Sequence, residues 1–360
     1  MPPITTTVGL PVSAPSREER ILGIIETARK KRPRFKDERI TMAHGAGGKA
    51  TQTLIEGLLA PAFGIEELAD AAHVTDAVLV TTDSFVVKPL RFPGGSIGEL
   101  AVNGTVNDLA MGGARPLALS LALILEEGLE ADVLRAEVDA VAAAAAAAGV
   151  RVVTGDTKVV ERGYADGMYI CTTGIGVRDP RAHLSPSAVR PGDRILVSGA
   201  IGEHGTAIML ARGDLGLDAD VESDTRSLWP AVDAILSPAV RCLRDATRGG
   251  VASVLNEIAR AAGVAMVVRE GDVPVAPVVA GAAELLGIDP MYVANEGKFV
   301  AFVAADAAPE VLAALRGHDA AAAEIGEVRV EPEGLVLVET AFGGRRVMDQ
   351  LVGDPLPRIC

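Results

Sequence analysis

Four aspartates supply the side chains whose type and spacing best fit a metal site. They are Asp83, Asp108, Asp156 and Asp245, which lie in short glycine-bearing contexts with no His/Cys cluster beside them. Carboxylate oxygens are hard ligands, and they suit Mg²⁺ bound together with phosphates better than zinc. A turn or a helix cap is the usual role of a single aspartate of this kind. The number and similar placement of the four favour a shared site, although spacing alone does not show that they converge.

A glycine-rich loop, HGAGGKAT, lies upstream of all four aspartates. Backbone N–H groups around Gly47 and Gly48 can close on an anion, and Lys49 adds a positive charge. The loop is not a P-loop, because Ala50 follows the lysine and Ala43 stands where the first glycine is required. It fits the loose dinucleotide pattern G-x-G-x-x-A only weakly. With the aspartates, the loop predicts an ATP site without a Walker motif.

The chain ends on a cysteine, Cys360, after a segment that contains Pro355 and Pro357. Both prolines disfavour helix, and from Gly353 onward the tail can span about 25 Å if it is extended. It is not a prenylation signal, since that signal needs the cysteine four residues from the end. A frayed terminus is the ordinary interpretation. We instead predict a mobile thiol that reaches from the body of a domain into a pocket.

Two predicted strands must position part of this set. Residues 77–81 form a buried run that is followed by Asp83, and residues 150–154 form another that is followed by Asp156 and Lys158. In α/β proteins, active sites gather at the carboxyl ends of strands. We therefore expect these three side chains at strand ends.

A predicted helix over residues 97–111 positions the next candidates. It is apolar over much of its length, yet it contains Asn103, Asn107 and Asp108. Asparagine is a poor helix-interior residue, and a buried aspartate is costly unless it is paired or binds a metal. The pattern favours ligation over packing.

Two short motifs in the second half of the chain complete the candidates. The motif RDATRGG supplies Asp245 and Thr247 at the start of a predicted helix, where they form either an anion site or an ordinary cap. The motif NEGK places Glu296 beside Lys298, ahead of a predicted strand over residues 299–303.

The composition excludes several classes of partner. A formal net charge of −14 repels phosphate backbones and anionic membranes, so we expect neither nucleic-acid nor membrane partners. Three cysteines without paired spacing argue against a disulfide framework or a cysteine-built zinc site, and favour a reducing compartment. We find no run of about eighteen apolar residues and no secretory signal, so we predict a cytoplasmic protein.

Length and composition predict two globular α/β domains. The chain has 360 residues, of which 49% are hydrophobic. Three prolines cluster between residues 179 and 192, and we predict the domain boundary there.

Several segments together resemble one known family. They are HGAGGK, TTDSFVVKPLRFPGGSIGELAVNGTVNDLAMGGARP, VVTGDTKVV, RDATRGG, NEGK and the terminal PRIC. They are similar to the HypE family of hydrogenase maturation proteins, in the superfamily of aminoimidazole ribonucleotide synthetase (PurM), selenide water dikinase and thiamine-monophosphate kinase. The likeness runs from about residue 37 to the end, and the long N-terminus departs from it.

The resemblance implies a mixed α/β, two-domain PurM-like architecture. Residues 37–185 would form the N-terminal domain, which binds ATP-Mg and contributes a dimerising sheet. Residues 186–345 would form the C-terminal α/β domain, and residues 346–360 a flexible tail. Residues 1–36, which the resemblance does not cover, form an N-terminal extension that we expect to be partly disordered.

The resemblance also implies a reaction. A carbamoyltransferase, HypF, would place a carboxamide on the sulfur of Cys360. ATP would phosphorylate the carboxamide oxygen, and loss of phosphate would leave a thiocyanate. The cyano group would then pass to iron in a HypC–HypD complex and become a cyanide ligand of [NiFe]-hydrogenase. The chain would be a dimeric, ATP-dependent carbamoyl dehydratase.

The resemblance assigns a role to each candidate residue. Glu296 would take the amide proton, and Lys158 would orient or polarise the substrate. The remaining residues would bind ATP and Mg²⁺: Gly47, Gly48, Lys49, Asn107 and Thr247 as nucleotide contacts, and Asp83, Asp108, Asp156 and Asp245 as ligands of the metal and the phosphates.

Two other functions remain open at this point. One is a small-molecule kinase of the same superfamily, although such chemistry does not need a terminal cysteine. The other is a non-enzymatic carrier that only displays the thiol, against which the intact acidic residues argue.

Overall fold

The structure is a computed structural model, and it describes Leu22 and residues 33–65, 67–213, 219–353 and 358–360. Most of the expected N-terminal extension lies outside these residues. No helix in the described ranges is long and apolar enough to cross a membrane.

The first half of the chain is built on a mixed five-stranded sheet with the strand order β1-β2-β7-β5-β6. Its strands β5 and β6 are parallel, and the other pairs are antiparallel. The strands are β1 (Ala72–His73), β2 (Val78–Phe85), β3 (Arg91–Phe92), β4 (Gly95–Ser96), β5 (Ala114–Glu126), β6 (Arg151–Val160) and β7 (Met168–Arg178), with β3 and β4 forming a separate ribbon. The helices are α1 (Lys49–Leu54), α2 (Ala60–Phe63), α3 (Ile97–Met111) and α4 (Ala131–Ala148), with a 3₁₀ turn at Met42–Gly45 and a π-helical turn at Ile55–Leu59.

The second half is built on a mixed seven-stranded sheet with the strand order β14-β13-β10-β12-β8-β11-β9. Its strands are β8 (Arg194–Val197), β9 (Val240–Asp245), β10 (Ala265–Arg269), β11 (Phe299–Val303), β12 (Ala323–Arg329), β13 (Val336–Glu339) and β14 (Arg345–Met348). Its helices are α5 (Glu203–Ala211), α6 (Trp229–Ile235), α7 (Gly250–Ala262), α8 (Pro277–Leu286) and α9 (Ala308–Arg316), with 3₁₀ turns at Pro186–Ala188, Glu270–Asp272 and Pro290–Tyr292. The expected α/β class is confirmed.

Helix α3 joins the two halves, which explains why it is apolar on nearly every side. Thirteen of its fifteen residues are buried. At its start, Ile97 and Leu100 pack in one cluster with Ile359 of the tail. At its end, Met111 packs in another cluster with Leu243 of the second sheet. A helix placed between two sheets has no face left for solvent, so the polar residues on it must have a specific partner.

The N-terminus of α3 is held by the neighbouring helix α4. Glu137 is completely buried on α4, and its Oε2 accepts a hydrogen bond from the backbone N–H of Gly98 at 3.1 Å. The guanidinium of Arg91 neutralises this carboxylate, with Nε 2.7 Å from Oε1. A carboxylate at a helix N-terminus satisfies an otherwise unpaired N–H and interacts favourably with the helix dipole. This contact fixes the helix that carries Asp108.

The expectation that three side chains follow strand ends is wrong. Asp83 lies inside β2, which continues to Phe85, while Asp156 and Lys158 lie inside β6, which continues to Val160. Their strands are extended because pairing with β7 and β5 persists through these polar residues. Sheet pairing overrides the low strand propensity of a single aspartate or glycine.

Candidate active site

Three carboxylates converge where α3 meets the second sheet. One oxygen each of Asp70, Asp108 and Asp245 lies within 4.8 Å of the others. Asp70 precedes β1, Asp108 is on α3, and Asp245 ends β9. The sequence analysis expected Asp108 and Asp245 but missed Asp70, because no glycine-bearing motif surrounds it.

Asp83 stands beside this cluster on the face of the first sheet that packs against α3. Its Oδ2 accepts a hydrogen bond from the hydroxyl of Thr105 on α3 at 2.8 Å. The hydroxyl of Thr81, two residues earlier on the same face, donates to Asp108 Oδ2 at 2.7 Å. Strand β2 and helix α3 therefore orient the two carboxylates together.

The charges of the cluster are incompletely balanced by the protein. Burial raises the pKa of Asp108 well above its usual range, and the carboxylates of Asp83, Asp245 and Asp70 raise it further. Burial also raises the pKa of Asp245 well above its usual range, with a contribution from Asp70. Arg244 Nη1 is 2.7 Å from Asp70 Oδ1. Buried carboxylates that repel one another ionise together only beside a cation, so this donor set of oxygens fits Mg²⁺.

The terminal residues of the tail are seated in the same chain. Val86 N–H donates to the carbonyl of Cys360 at 3.1 Å, and Lys88 N–H donates to that of Arg358 at 3.3 Å. His204, which is fully buried, donates through Nε2 to the carbonyl of Ile359 at 2.6 Å. Each of the last three carbonyls thus has a specific donor.

Side chains add to this seat. The side chain of Ile359 is only 2% exposed, and the Arg358 guanidinium pairs with Asp166. Arg212 Nη2 donates to the Arg358 carbonyl at 2.6 Å. The last three residues are thus bound to the body of the same chain, while residues 354–357, which include both prolines of the tail, lie outside the described residues.

The Cys360 thiol lies between charged groups in this seat. Arg248 Nη2 is 2.9 Å from its sulfur. Burial raises the pKa of the thiol to about 11, while the Arg248 charge opposes the rise and Glu296 and Asp83 add to it. The thiol is therefore mostly protonated near neutral pH. RDATRGG contains Arg248, but its charge was not singled out in the sequence.

Glu296 is a buried carboxylate with an unused acceptor. It is 3% exposed, and its Oε1 has no hydrogen-bond partner among the described residues. Burial raises its pKa well above the usual range, Asp245 and Asp224 raise it further, and Arg248 opposes the rise. A carboxylate with a raised pKa in a buried site is suited to proton transfer near neutral pH.

The glycine-rich loop packs against the second half of the chain and the start of the tail. Gly47 has φ +73°, and a side chain on Gly48 would meet the carbonyl of Leu351. Lys49 Nζ is 2.6 Å from Asp349 Oδ2, and both side chains are partly exposed. Two side chains of the second half donate hydrogen bonds to the loop: Ser253 Oγ to the Gly47 carbonyl at 3.0 Å, and the Arg248 guanidinium to the Gly45 carbonyl.

Asn107, Asn103 and Thr247 make structural contacts. The Asn107 amide donates to the carbonyls of Arg226 and Glu296 at 3.0 and 3.1 Å, and its oxygen accepts from Leu228 N–H at 2.7 Å. Asn103 Nδ2 donates to Thr225 Oγ1 at 3.2 Å, and the Thr247 carbonyl accepts from Gly250 N–H at 2.8 Å. The two asparagines tie α3 to the second half of the chain.

Asp156 and Lys158 do not join the cluster within one chain. Asp156 Oδ2 is 2.7 Å from Lys158 Nζ, and the two side chains are 63% and 69% exposed. The residue aligned with Asp83 across β7 and β5 is Gly155, three strand spacings away, which is about 14 Å. Because side chains alternate along a strand, Asp156 points to the opposite face of the sheet from Asp83.

Comparison with known proteins assigns the chain to a family. Residues 68–178 match the family described as AIR synthase related protein, N-terminal domain, and residues 190–338 match its C-terminal domain. The carbamoyl dehydratase HypE of Rhodobacter capsulatus is 50% identical over 338 residues, which cover 91% of this chain and 99% of that protein. The chain belongs to the HypE family of carbamoyl dehydratases.

Solved structures agree with this assignment. A HypE–HypF complex contains a chain that is 45% identical, with a TM-score of 0.80, over 83% of this chain and 99% of that one. A HypE structure in complex with ATP is 43% identical, with a TM-score of 0.76, over 89% and 100% of the two chains. The two-domain PurM-like architecture is thereby confirmed.

The HypE assignment decides between the functions that the sequence left open. The similarity to a thiamine monophosphate kinase from Aquifex aeolicus is 17% in sequence with a TM-score of 0.62, so it concerns the fold only. A small-molecule kinase is not favoured, and neither is a carrier without enzymatic activity. The described residues thus offer a seated thiol, a buried carboxylate with an unpartnered oxygen and an acidic cluster suited to a metal.

Proposed function

We propose that the chain dehydrates an S-carboxamide on its own Cys360 to a thiocyanate, with ATP as co-substrate, to supply cyanide for [NiFe]-hydrogenase. The observation that carries the proposal is the seated tail. Its sulfur lies 2.9 Å from Arg248 and in the electrostatic field of both Glu296 and Asp83. The carbonyls of the last three residues all accept hydrogen bonds from the body of the chain. The terminus is therefore positioned as a bound substrate would be.

Mg²⁺ would be held by Asp70, Asp108 and Asp245, with Asp83 at the edge of the set, and would neutralise the phosphates of ATP. Asp70 is added to the ligands expected from the sequence because one of its carboxylate oxygens lies within 4.8 Å of those of Asp108 and Asp245. Lys49 would leave Asp349 to reach a phosphate. The backbone around Gly47 and Gly48 would face the nucleotide.

The reaction balances without a redox partner. The carboxamide oxygen attacks the γ-phosphorus of ATP and ADP leaves. Loss of two amide protons, one to Glu296 and one with the departing phosphate, and cleavage of the C–O bond then give Cys–S–C≡N and inorganic phosphate, which carries away the oxygen. Because the phosphate is a much better leaving group than oxide, the protein chiefly has to position the groups and stabilise charge.

Glu296 would accept the amide proton, and Arg248 would hold the sulfur end of the substrate. The free Oε1 of Glu296 supports this role, since a base that awaits a substrate N–H has no internal donor. Arg248 is charged at all relevant pH values and can keep a polar contact throughout the reaction.

Lys158 and Asp156 would enter the site from a second copy in a homodimer. The strand β6 is exposed along its length, and Val153 and Val159 are 55% and 67% exposed on it. An open edge strand that exposes valines is a surface that proteins normally cover. A two-fold sheet contact would cover it and bring Lys158 to the partner's carboxamide.

The partners and organisation follow from the same proposal. A HypE–HypF complex exists among the similar structures, so HypF is proposed to load Cys360, and a HypC–HypD complex to receive the cyano group. We propose that this takes place in the cytoplasm. Residues 37–185 and 186–345 would form the two domains, with residues 346–360 as the tail that moves between partners and the site.

Mass spectrometry of the C-terminal peptide tests the function. Carbamoylation should add about 43 Da to Cys360, and ATP-Mg should then remove about 18 Da, as expected for a thiol used as a covalent carrier. Glu296→Gln should take the carboxamide but form thiocyanate at least about 10²-fold more slowly. Cys360→Ala should carry neither group.

Two results would contradict the proposal. One is modification of Cys171 or Cys242 in place of Cys360. The other is thiocyanate formation at the full rate in Glu296→Gln, which would place the base elsewhere.

A further inference from the structure

A buried carboxylate that has no role in the reaction described above accepts hydrogen bonds from the backbone at the proposed base. Asp224 Oδ1 accepts a hydrogen bond from Glu296 N–H at 3.0 Å, and Oδ2 accepts one from Gly297 N–H at 3.1 Å. The Asp224 side chain is 1% exposed. Two acceptor oxygens on consecutive N–H groups fix the local peptide planes and therefore the direction in which the Glu296 side chain leaves the chain.

Burying this charge requires a counterion, and Lys298 supplies it. Lys298 Nζ lies 3.4 Å from Asp224 Oδ2, 3.2 Å from Glu203 Oε2 and 3.5 Å from Asp319 Oδ2, and its side chain is 3% exposed. A buried carboxylate without a cation is strongly unfavourable, and a paired ammonium offsets part of that cost. The motif NEGK thus contains both the base and the cation that allows Asp224 to hold it.

The contact between Asp224 and the backbone of Glu296 and Gly297 requires a residue without a side chain at position 297. A side chain on Gly297 would collide with the carbonyl of Asp224. The loop that carries Asp224 can approach the base only because this position is glycine. The N-E-G-K order therefore combines a base, a gap for the loop and a counterion.

The same loop also supports the holder of the tail. Ser223 Oγ lies 2.8 Å from His204 Nδ1, and His204 donates from Nε2 to the carbonyl of Ile359. With Nε2 as the donor, Nδ1 of the neutral ring accepts from the serine hydroxyl. Two consecutive residues, Ser223 and Asp224, therefore contact the tail's support on one side and the base on the other.

We propose that Asp224 is the positioning residue for the general base, and that it sets the placement of Glu296 relative to the carboxamide on Cys360. The inference rests on the proposed function, in which Glu296 takes the amide proton. Asp224 does not touch the substrate and acts through Glu296. A displacement of a reacting group by about 1 Å can lower a rate by about 10²-fold.

The test measures single-turnover dehydration of the carbamoylated full-length chain. Asp224→Ala should lower the rate by about 10²-fold, while ATP affinity stays within about twofold of wild type. Asp224→Asn, which keeps one acceptor and the shape of the side chain, should lose only about 10-fold. If the alanine variant does not fold, the asparagine variant still carries the test.

A double variant separates positioning from a structural role. In a Glu296→Gln background, Asp224→Asn should reduce the residual rate by less than about twofold, because its effect passes through the missing base. The matched control is Asp319→Asn, which also faces Lys298 but does not contact Glu296, and which should dehydrate at the wild-type rate.

The outcomes distinguish the two proposals. A wild-type rate in Glu296→Gln overturns the assignment of the base and the inference with it. A slow Glu296→Gln with a wild-type rate in both Asp224 variants overturns only the inference. Equal factors for Asp224→Asn in the presence and absence of Glu296, or an equal loss in Asp319→Asn, also overturn it.

Discussion

The carrier thiol and Lys158 are assigned to the same carboxamide, yet the fold presents them in opposite ways. Cys360 is brought by its own chain into a seat beside Arg248, with Ile359 buried behind it. Lys158 stands on an exposed edge strand, on the sheet face opposite to Asp83, and pairs with Asp156.

This difference indicates which part of the proposed site is formed by one chain alone. Contacts between α3, the second sheet and the tail position the acidic cluster, Glu296 and the Cys360 thiol within one chain. Among the described residues, the β6 edge that carries Lys158 is exposed along nearly its whole length. We infer that folding completes the first region and that association of two copies completes the second.

The largest expected effect concerns the region that one chain completes. Asp108→Ala should lower Mg²⁺-dependent ATP hydrolysis by about 10²-fold or more, because it leaves phosphate charge uncompensated. Steady-state hydrolysis across a Mg²⁺ titration measures it. Asp139→Ala, an exposed change on α4, is the control. Wild-type hydrolysis in Asp108→Ala would assign the cluster a structural role.

A smaller effect is expected for the seat of the tail. Seated Cys360 has a pKa raised to about 11, and an unseated terminal thiol should titrate near 8.5. A group with a raised pKa is mostly protonated below that value, so alkylation at pH 8.5 should be about 10²-fold slower than for a free thiolate. The double change Asp166→Ala and Arg212→Ala should move the reactivity profile of Cys360 towards 8.5.

The pH profile of iodoacetamide labelling, followed on the C-terminal peptide, decides this point. Cys242, followed on its own peptide, is an internal reference, since burial raises its pKa to about 12 and neither Asp166 nor Arg212 is among the charges that shift it. Arg135→Ala, at an exposed arginine on α4, is the matched control. An unchanged Cys360 profile in the double variant would mean that these contacts do not hold the tail.

The smallest effect tests the second region directly. Lys158→Ala and Glu296→Gln should each be nearly inactive alone, but co-expressed chains should recover about a quarter of the wild-type activity. In a mixed dimer, one site then combines an intact base with the partner's intact lysine. Thiocyanate formation in the co-purified mixture measures it.

The control for this mixture exchanges the lysine for the carrier. Glu296→Gln mixed with Cys360→Ala should recover nothing, because the seated tail uses the base of its own chain. Recovery in this second mixture would mean that the tail crosses between copies. No recovery in the first would place Lys158 in the site of its own chain, and full activity of Lys158→Ala alone would place it outside the reaction.

Sequence patterns predicted most elements because local physics specifies them. The helix expected over residues 97–111 is α3 with the same bounds: Ser96 before it is extended without a side-chain cap, and glycines follow its end. The strand expected over residues 299–303 is β11. Strands with polar residues were predicted less well: the sequence placed the ends of β2 and β6 too early. Only the pairing with β7 and β5 shows that these strands continue.

Residue types by themselves determined the kind of chemistry: a terminal thiol, hard oxygen ligands and a carboxylate next to a lysine. Tertiary structure decided which of them meet. Asp70 joined the cluster although no motif marks it, and Asp156 was separated from it by the alternation of side chains across a sheet. Asn107 became a tie to the backbone of the second half. Spacing along a chain fixes the face on which a residue lies, but convergence across almost 200 residues depends on how sheets and helices pack.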